Sequence, residues 1–460
     1  MQLPTYRPSR QILSICALLA ITLVCMLSLD LSHWEQGKAT MREWTGMALG
    51  NSEAGGEVVV FALIMVGLES AVEGAMGIKT AIYHTSGPLS FHLIVDEPAH
   101  EHLLGLLSLI TRPRFSIDVV FYPLSRDAMT KRLERTGWVD EDGEKRGSIR
   151  TTHPGGPGGM MKLFLHEILP SEIARAIFID TDAMLIVDPY LVWSQFTTFS
   201  HDTLFSIPIH ENAERPHVNA DWQGASRVCS CVLLLDLGNM RAAPTMNSDL
   251  FDADMQARAL ERPANEGTWG DVFGRFGSED GKTYRHVGLG DQGYFWALRQ
   301  YVPDRVRALD LSYEVTTCLW DQYNIGMHGH ANVTVADQVA SQTRLEMTPN
   351  EGKLILPSIL HFNCMGGWIW DSPEFHGHPD HAAAERWGDA VRYFWAYKWI
   401  WLNRGDGSAT MTVVVKRDLR FWDERLAGKA VAEGYGDGWS SPEEDRVVVV
   451  EDMPEWYMTL

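Results

Sequence analysis

The sequence predicts an α/β fold built on a mostly parallel sheet. Three observations carry that expectation: continuous apolar runs of strand length, helical stretches alternating with them, and acidic residues at the carboxyl ends of the runs. "EVVVFALIMVG" (57–67) is a run typical of a strand covered on both faces. "FHLIVDE" (91–97) is a second strand ending in acid, and the helical stretch "PAHEHLLGLLSLI" follows it. "SIDVVFYP" (116–123) is a third strand, and "GMMKLFLHEILP" (159–170) reads as a helix leading into the strand "RAIFIDTD". "SRVCSCVLLLDLGNMR" (226–241) adds a strand and a turn, with helical sequence onward to about residue 262. "VGLGDQGYFWALRQ" opens a helix at Asp291, and "LPSILHFNCMGGWIW" gives a strand ending at His361. Sheets of this kind bind ligands at the carboxyl ends of their strands.

The chain has 460 residues, with 39 basic against 60 acidic residues and a net charge of -21, which argues against nucleic acid as a partner. From Ile12 to Leu29 it carries no charge, with Arg7 and Arg10 before and Asp30, His33 and Glu35 after. That pattern predicts one transmembrane signal-anchor helix, a cytoplasmic N-terminus and a luminal remainder; a cleaved signal peptide is the alternative. Residues 1–31 are accordingly expected as tail and anchor, 32–55 as a stem, 56–404 as the catalytic domain and 405–460 as an extension. Cys229, Cys231, Cys318 and Cys364 then face the lumen, where disulfides are permitted and three pairings are open. No Cys or His spacing predicts a structural zinc. Asn332-Val333-Thr334 is a lone glycosylation sequon. The Gly-rich "TTHPGGPGGMMK" (151–162) lacks the Lys-Ser/Thr of a phosphate-cradling loop and reads as a linker into the helix.

"AIFIDTDAMLIV" (176–187) raises the chemical question, because Asp180 and Asp182 stand one residue apart at a strand end. A turn explains one Asp better than two. Two carboxylates suit a divalent cation bridging a diphosphate, since hard oxygen ligands take magnesium or manganese. They also suit an aspartyl phosphatase, in which Asp180 is the nucleophile, although Met184 stands where such enzymes usually carry Thr or Val.

Taken in order, "FHLIVDE", "MMKLFLHEILP" directly before "AIFIDTD", "VCSCVLLLDLGNMR", "GLGDQGYF" and "LHFN" resemble the retaining glycosyltransferases of family 8. The similarity is greatest to the xylosyltransferase domain of the LARGE-type enzymes and to the glucoside xylosyltransferases. It covers about residues 57–400, with residues 122–158 as an insertion. The resemblance implies a GT-A, Rossmann-like nucleotide-diphospho-sugar transferase fold. It implies that Asp180, Asp182 and His361 hold Mn2+ (or Mg2+) on the diphosphate of a UDP-sugar, and that Lys162, Thr181, Asn363 and Gly366 line the nucleotide-sugar site. It places Asp291 and Gln292 at the sugar, one of them facing the anomeric carbon. For Lys162 a solvated helix charge is the alternative.

On this resemblance the chain is expected to be a metal-dependent transferase acting in the Golgi or endoplasmic reticulum, moving a xylose-, glucose- or N-acetylglucosamine-type sugar to a glycan or glycoprotein. A degenerate glycan- or nucleotide-binding protein is the non-enzymatic alternative. Two departures motivate it: Cys229-Ser230-Cys231 replaces the usual amide-bearing triplet, and "CMGGWIW" replaces the usual late Gly-x-Lys-Pro-Trp. Backbone N–H groups of Gly366 or Gly367 are the expected substitute for that lysine. The aromatics of residues 386–405 are expected to be mainly core.

Overall fold

In a computed structural model of the chain, the structure describes residues 57–135, 156–210, 225–246, 271–272, 290–316, 350–353, 355–363, 370, 382–416 and 446–449. The expected anchor, the sequon, Gly366, Gly367, Cys318, Cys364 and the helical stretch from 247 to 262 lie outside them. Among the described residues no helix is long and apolar enough to cross a membrane.

The strands among the described residues are β1 Val59–Met65, β2 Leu89–Val95, β3 Ile117–Pro123, β4 Arg175–Ile179, β5 Ala183–Leu185, β6 Phe205–Pro208, β7 Val232–Asp236, β8 Val306–Leu309, β9 Val315–Thr316, β10 Ile359–His361, β11 Met411–Val415 and β12 Arg446–Val449. Of these, β1, β2, β3, β4, β7 and β10 fall where the sequence places strands, and the others carry no such expectation. Among the described residues nine form one sheet in the order β12-β11-β3-β2-β1-β4-β7-β6-β8, and β5-β10-β9 form a second. The ladders β11-β3, β3-β2, β2-β1 and β1-β4 are all parallel, while β7 runs antiparallel to both β4 and β6. β11 lies past residue 404 and pairs with β3 from Met411↔Ile117 to Val415↔Phe121, so the main sheet runs beyond that expected boundary. The chain reaches β11 through a close approach: a Cβ on Gly405 would stand 2.0 Å from the Pro113 carbonyl oxygen.

Parallel strands covered on both faces need two cores, and the period of two supplies them. Phe61, Leu63, Phe91, Leu93, Ile177 and Leu234 pack on one face beneath helix α1 (Leu68–His84) and helix α2 (Glu97–Leu107). Ala62, Ile64, Phe178, Leu233 and Leu235 face the other way, against Met161, Leu163 and Phe164. The acid at the end of the second strand is structural: Asp96 caps α2 by accepting from the Ala99 N–H at 3.2 Å, and it also accepts from Gly67 N–H at 2.8 Å.

Residues 159–170 do not form the continuous helix the sequence suggests. Gly156–Met160 is helical, Met161–Phe164 is a 3-10 turn, and Leu165–Ile168 is helical again. The residues from Lys162 to Glu167 are all buried, so the stretch has no solvent face to keep in helical register. Ion pairs set its path instead: Glu167 is held by Arg132, and Lys162 points to the end of β4.

The aromatic segment divides. Phe394 and Trp399 belong to core clusters, whereas Tyr393, Trp395 and Trp401 are exposed. They lie on or just after helix α4 (Ala382–Ala396); helix α3, Asp291–Tyr301, starts at the residue expected from the sequence.

One buried histidine makes the sheet acid-sensitive. His92, in β2, hydrogen-bonds Tyr122 Oη through Nδ1 at 2.8 Å and Ser90 Oγ through Nε2 at 3.2 Å. Burial, and secondarily the Lys416 charge, push its pKa down to about 4. The unfolded chain therefore binds the proton first as pH falls, so stability present above about pH 6.5 is lost down to about pH 4. His92→Gln should flatten that dependence by up to about 3 kcal/mol across the window. Urea melts of both proteins at pH 7 and 4.5 check it, and parallel pH curves would refute the assignment.

Candidate functional site

Asp180 follows β4 directly, and Asp182 precedes β5 in the same turn. Three backbone bonds fix that turn. Asp180 N–H donates to the Cys231 carbonyl at 2.8 Å, Ala183 N–H to the Asp180 carbonyl at 3.2 Å, and Phe362 N–H to the Asp182 carbonyl at 2.9 Å. Helix α1 packs closely behind it, since a Cβ on Gly77 would lie 3.0 Å from the Ala183 carbonyl oxygen.

The antiparallel pairing of β5 with β10 sets His361 opposite Ala183, which brings the imidazole to the carboxylates. His361 Nε2 lies 3.3 Å from Asp182 Oδ1. Both carboxylate side chains keep access to solvent, 26% for Asp180 and 21% for Asp182, so a ligand can reach them. The ligand atoms of Asp180, Asp182 and His361 lie within 4.8 Å of one another. Two carboxylates and an imidazole fit a hard divalent cation such as manganese or magnesium.

Lys162 is 2% exposed, which removes the alternative of a solvated helix charge. Its Nζ stands 2.8 Å from Asp180 Oδ1 and 3.2 Å from Asp291 Oδ2, and donates to the Ser230 carbonyl at 3.3 Å. Asp291 is 1% exposed, and its Oδ2 also accepts from Ser230 Oγ at 2.6 Å. Asp291 is thus a buried counter-ion at the start of α3. Gln292 beside it is partly buried and donates through Nε2 to the Ala225 carbonyl at 2.8 Å. Thr181 sends its hydroxyl to Glu73 Oε2 on α1 at 3.3 Å, and Asn363 Oδ1 accepts from Thr316 Oγ1.

The charges are strongly coupled. Burial raises Asp180, and Lys162 only partly offsets it. For Asp182 burial is outweighed by the His361 charge, so its carboxyl is lowered. Burial opposes the charged imidazole of His361, yet Asp182 and Cys229 outweigh it and raise the pKa well above the usual range. For Lys162, Asp180 and Asp291 likewise overcome burial and keep it charged. Glu73 rises to about 7, through burial first and the Asp182 charge second.

Glu314 and His210 carry no signal in the sequence, and the Cys229-Ser230-Cys231 triplet stood out only as a departure. Glu314, in the turn before β9, places Oε1 3.1 Å from His361 Nδ1 and Oε2 2.9 Å from His210 Nε2. His210 and His361 outweigh its burial and hold it at about 2. Cys229 and Cys231 are free and buried, with Cys229 Sγ 3.8 Å from His361 Nδ1. The sulfur hydrogen bond from Cys231 lowers Cys229 to about 7. Ser230, between them, belongs to the Lys162 network, and a motif that showed only the loss of an amide did not reveal it.

The fold and site thus define an α/β protein with a carboxylate and imidazole constellation at the carboxyl edge of a mostly parallel sheet. The chain is similar to family 8 glycosyltransferases, with distant similarity to the LARGE enzymes. It is 30% identical over 162 residues to xylosyl- and glucuronyltransferase LARGE1 of Gallus gallus, covering 34% of this chain and 19% of that one. Human LARGE1 is 28% identical over 162 residues, with the same coverage, and LARGE2s of Gallus gallus is 28% identical over 151 residues, or 33% and 18%. The chain therefore spans about a fifth of the length of these relatives. Among solved structures, mouse xyloside xylosyltransferase 1 gives a TM-score of 0.42 at 16% identity, over 67% of this chain and 99% of that one. The galactosyltransferase LgtC gives 0.41 at 13%, over 74% and 95%. No family model matches.

Proposed function

We propose that the chain is a GT-A, metal-dependent, retaining glycosyltransferase that moves a sugar of xylose, glucose or N-acetylglucosamine type from a UDP-sugar to a glycan or glycoprotein. The observation that carries the proposal is the approach of His361 Nε2 to Asp182 beside Asp180, at the strand ends where such sheets bind nucleotides. The divalent cation, when bound by Asp180, Asp182 and His361, supplies positive charge where the departing diphosphate becomes negative. Lys162 orients Asp180 and offsets its charge, while Asp291 and Ser230 position Lys162. Gln292, fixed by the Ala225 carbonyl, is the amide assigned to the anomeric face, where a fixed oxygen stabilises an oxocarbenium-like sugar. On this reading residues 12–29 anchor the enzyme in a Golgi or endoplasmic reticulum membrane with the site in the lumen.

The test is UDP release from a panel of UDP-sugars by residues His33 to Leu460, with manganese and then with excess chelator. Release from one donor that chelator abolishes is the expected result. UDP binding without release from any donor, with candidate acceptors supplied, would favour the binding-protein alternative.

A further inference from the structure

Behind the carboxylate pair lies a second group of donors that the proposed reaction does not use. The side chains of Cys229, Cys231, Glu314 and His361 offer ligand atoms that all lie within 4.8 Å of one another. All four are buried: Cys229 is 8% exposed, His361 4%, Cys231 1% and Glu314 0%. The group has only His361 in common with the diphosphate side, and through opposite edges of the ring: Nε2 faces Asp182, while Nδ1 faces Glu314 and Cys229.

We propose that Cys229 Sγ, Cys231 Sγ, Glu314 Oε1 and His361 Nδ1 form a closed, four-ligand zinc site. The donor chemistry selects zinc, because two thiolates with an imidazole and a carboxylate suit a borderline-soft tetrahedral ion better than manganese or magnesium. The geometry agrees. Tetrahedral bonds of about 2.3 Å to sulfur and about 2.05 Å to nitrogen or oxygen put sulfur and nitrogen about 3.6 Å apart and nitrogen and oxygen about 3.4 Å apart. The observed separations are 3.8 Å for Cys229 to His361 and 3.1 Å for His361 to Glu314. Four protein donors leave no open coordination position for water, which marks a structural ion and not a hydrolytic one.

The outer partners are also in place. Glu314 keeps its other oxygen on His210 at 2.9 Å, and the second nitrogen of His361 meets Asp182 at 3.3 Å, the carboxylate-histidine-metal relay that orients metal-bound imidazoles. Zinc displaces the protons of both thiols and of His361 Nδ1, so its binding releases protons to solvent. The ion would fix the ring and tie the Cys-Ser-Cys stretch before β7 to β10; with a diphosphate cation also bound at Nε2, that nitrogen gives its proton to solvent too and the ring bridges the two ions as an imidazolate. The amide lost from this triplet is thereby replaced by a different means of holding the site together.

The proposal stands on this cluster and does not depend on the transferase reading. The experiment uses the reduced, chelator-stripped full chain titrated anaerobically with cobalt(II), a spectroscopic substitute for zinc. Wild-type protein should develop a near-ultraviolet thiolate-to-cobalt charge-transfer band and intense visible bands of tetrahedral cobalt, saturating at one equivalent and displaced by zinc. Zinc should also slow alkylation of Cys229 and Cys231 at least tenfold, with chelator restoring the rate. Asp180→Ala should keep both signatures, whereas Cys229→Ser with Cys231→Ser should lose the charge-transfer band. Fully reduced wild type that shows no charge-transfer band, or alkylates equally fast with and without zinc, overturns the proposal without reliance on any variant's folding. Loss of the band in Asp180→Ala would overturn it too, because the closed four-ligand site has no part for Asp180.

Discussion

Lys162→Met is expected to destabilise the protein by about 3–5 kcal/mol, the usual cost of removing one partner from a buried ion pair. The substitution keeps the unbranched apolar stem, so the loss reports the charge and not the packing. It strands two carboxylates. Asp291 has 1% of its side chain exposed and keeps Ser230 Oγ as a donor, but nothing replaces the ammonium at 3.2 Å. Asp180 loses its contact at 2.8 Å while Asp182 stands two residues away. The more exposed Asp180 recovers some hydration, so the larger share of the penalty falls on Asp291. Adding Asp291→Asn to Lys162→Met should therefore restore a large part of the loss, because a neutral amide costs less to bury than an unpaired carboxylate. Urea denaturation of the wild type, both single variants and the double variant measures the coupling. A Lys162→Met protein as stable as wild type would mean that the triad contributes no net stability.

How far this network shows in the sequence depends on the range of the contacts. The strands were legible because burial on both faces leaves unbroken apolar runs, and β1, β2, β3 and β4 stand within a residue or two of those runs. Asp180 and Asp182 were legible as a local pair, whereas His361 was singled out only by the resemblance of "LHFN" to family 8 sequences. The break in residues 159–170 was not legible, because helical composition there is overridden by burial on every side. Nor was the place of β11 at the sheet's far side, since strand sequence does not name its partner. Ser230, Glu314 and His210 are recruited across long separations by the ladders, and no spacing rule joins them. The absence of zinc spacing in the sequence has the same origin: Cys229 and Cys231 meet Glu314 and His361 only after β7, β9 and β10 are in place.

On the proposed function, Asp182→Asn should reduce metal-dependent sugar transfer by on the order of 10³-fold or more, while leaving the fold largely intact. The isosteric amide keeps the volume and the backbone bond from Phe362 N–H to the Asp182 carbonyl, so the turn has no reason to move. What it removes is a negative ligand from a three-donor set and the charge partner of His361. Manganese affinity should fall with the rate, so raising manganese should recover part of the activity of Asp182→Asn. It should recover none in Gln292→Ala, because Gln292, held by the Ala225 carbonyl, is assigned to the sugar side in the proposed reaction. That contrast separates a metal ligand from a residue at the sugar, which a simple loss of activity cannot do. Turnover against manganese concentration for both variants, with circular dichroism to confirm the fold, makes the measurement. Equal manganese dependence in wild type and Asp182→Asn would remove Asp182 from the metal site. The donor left beside Asp180 would then be His361.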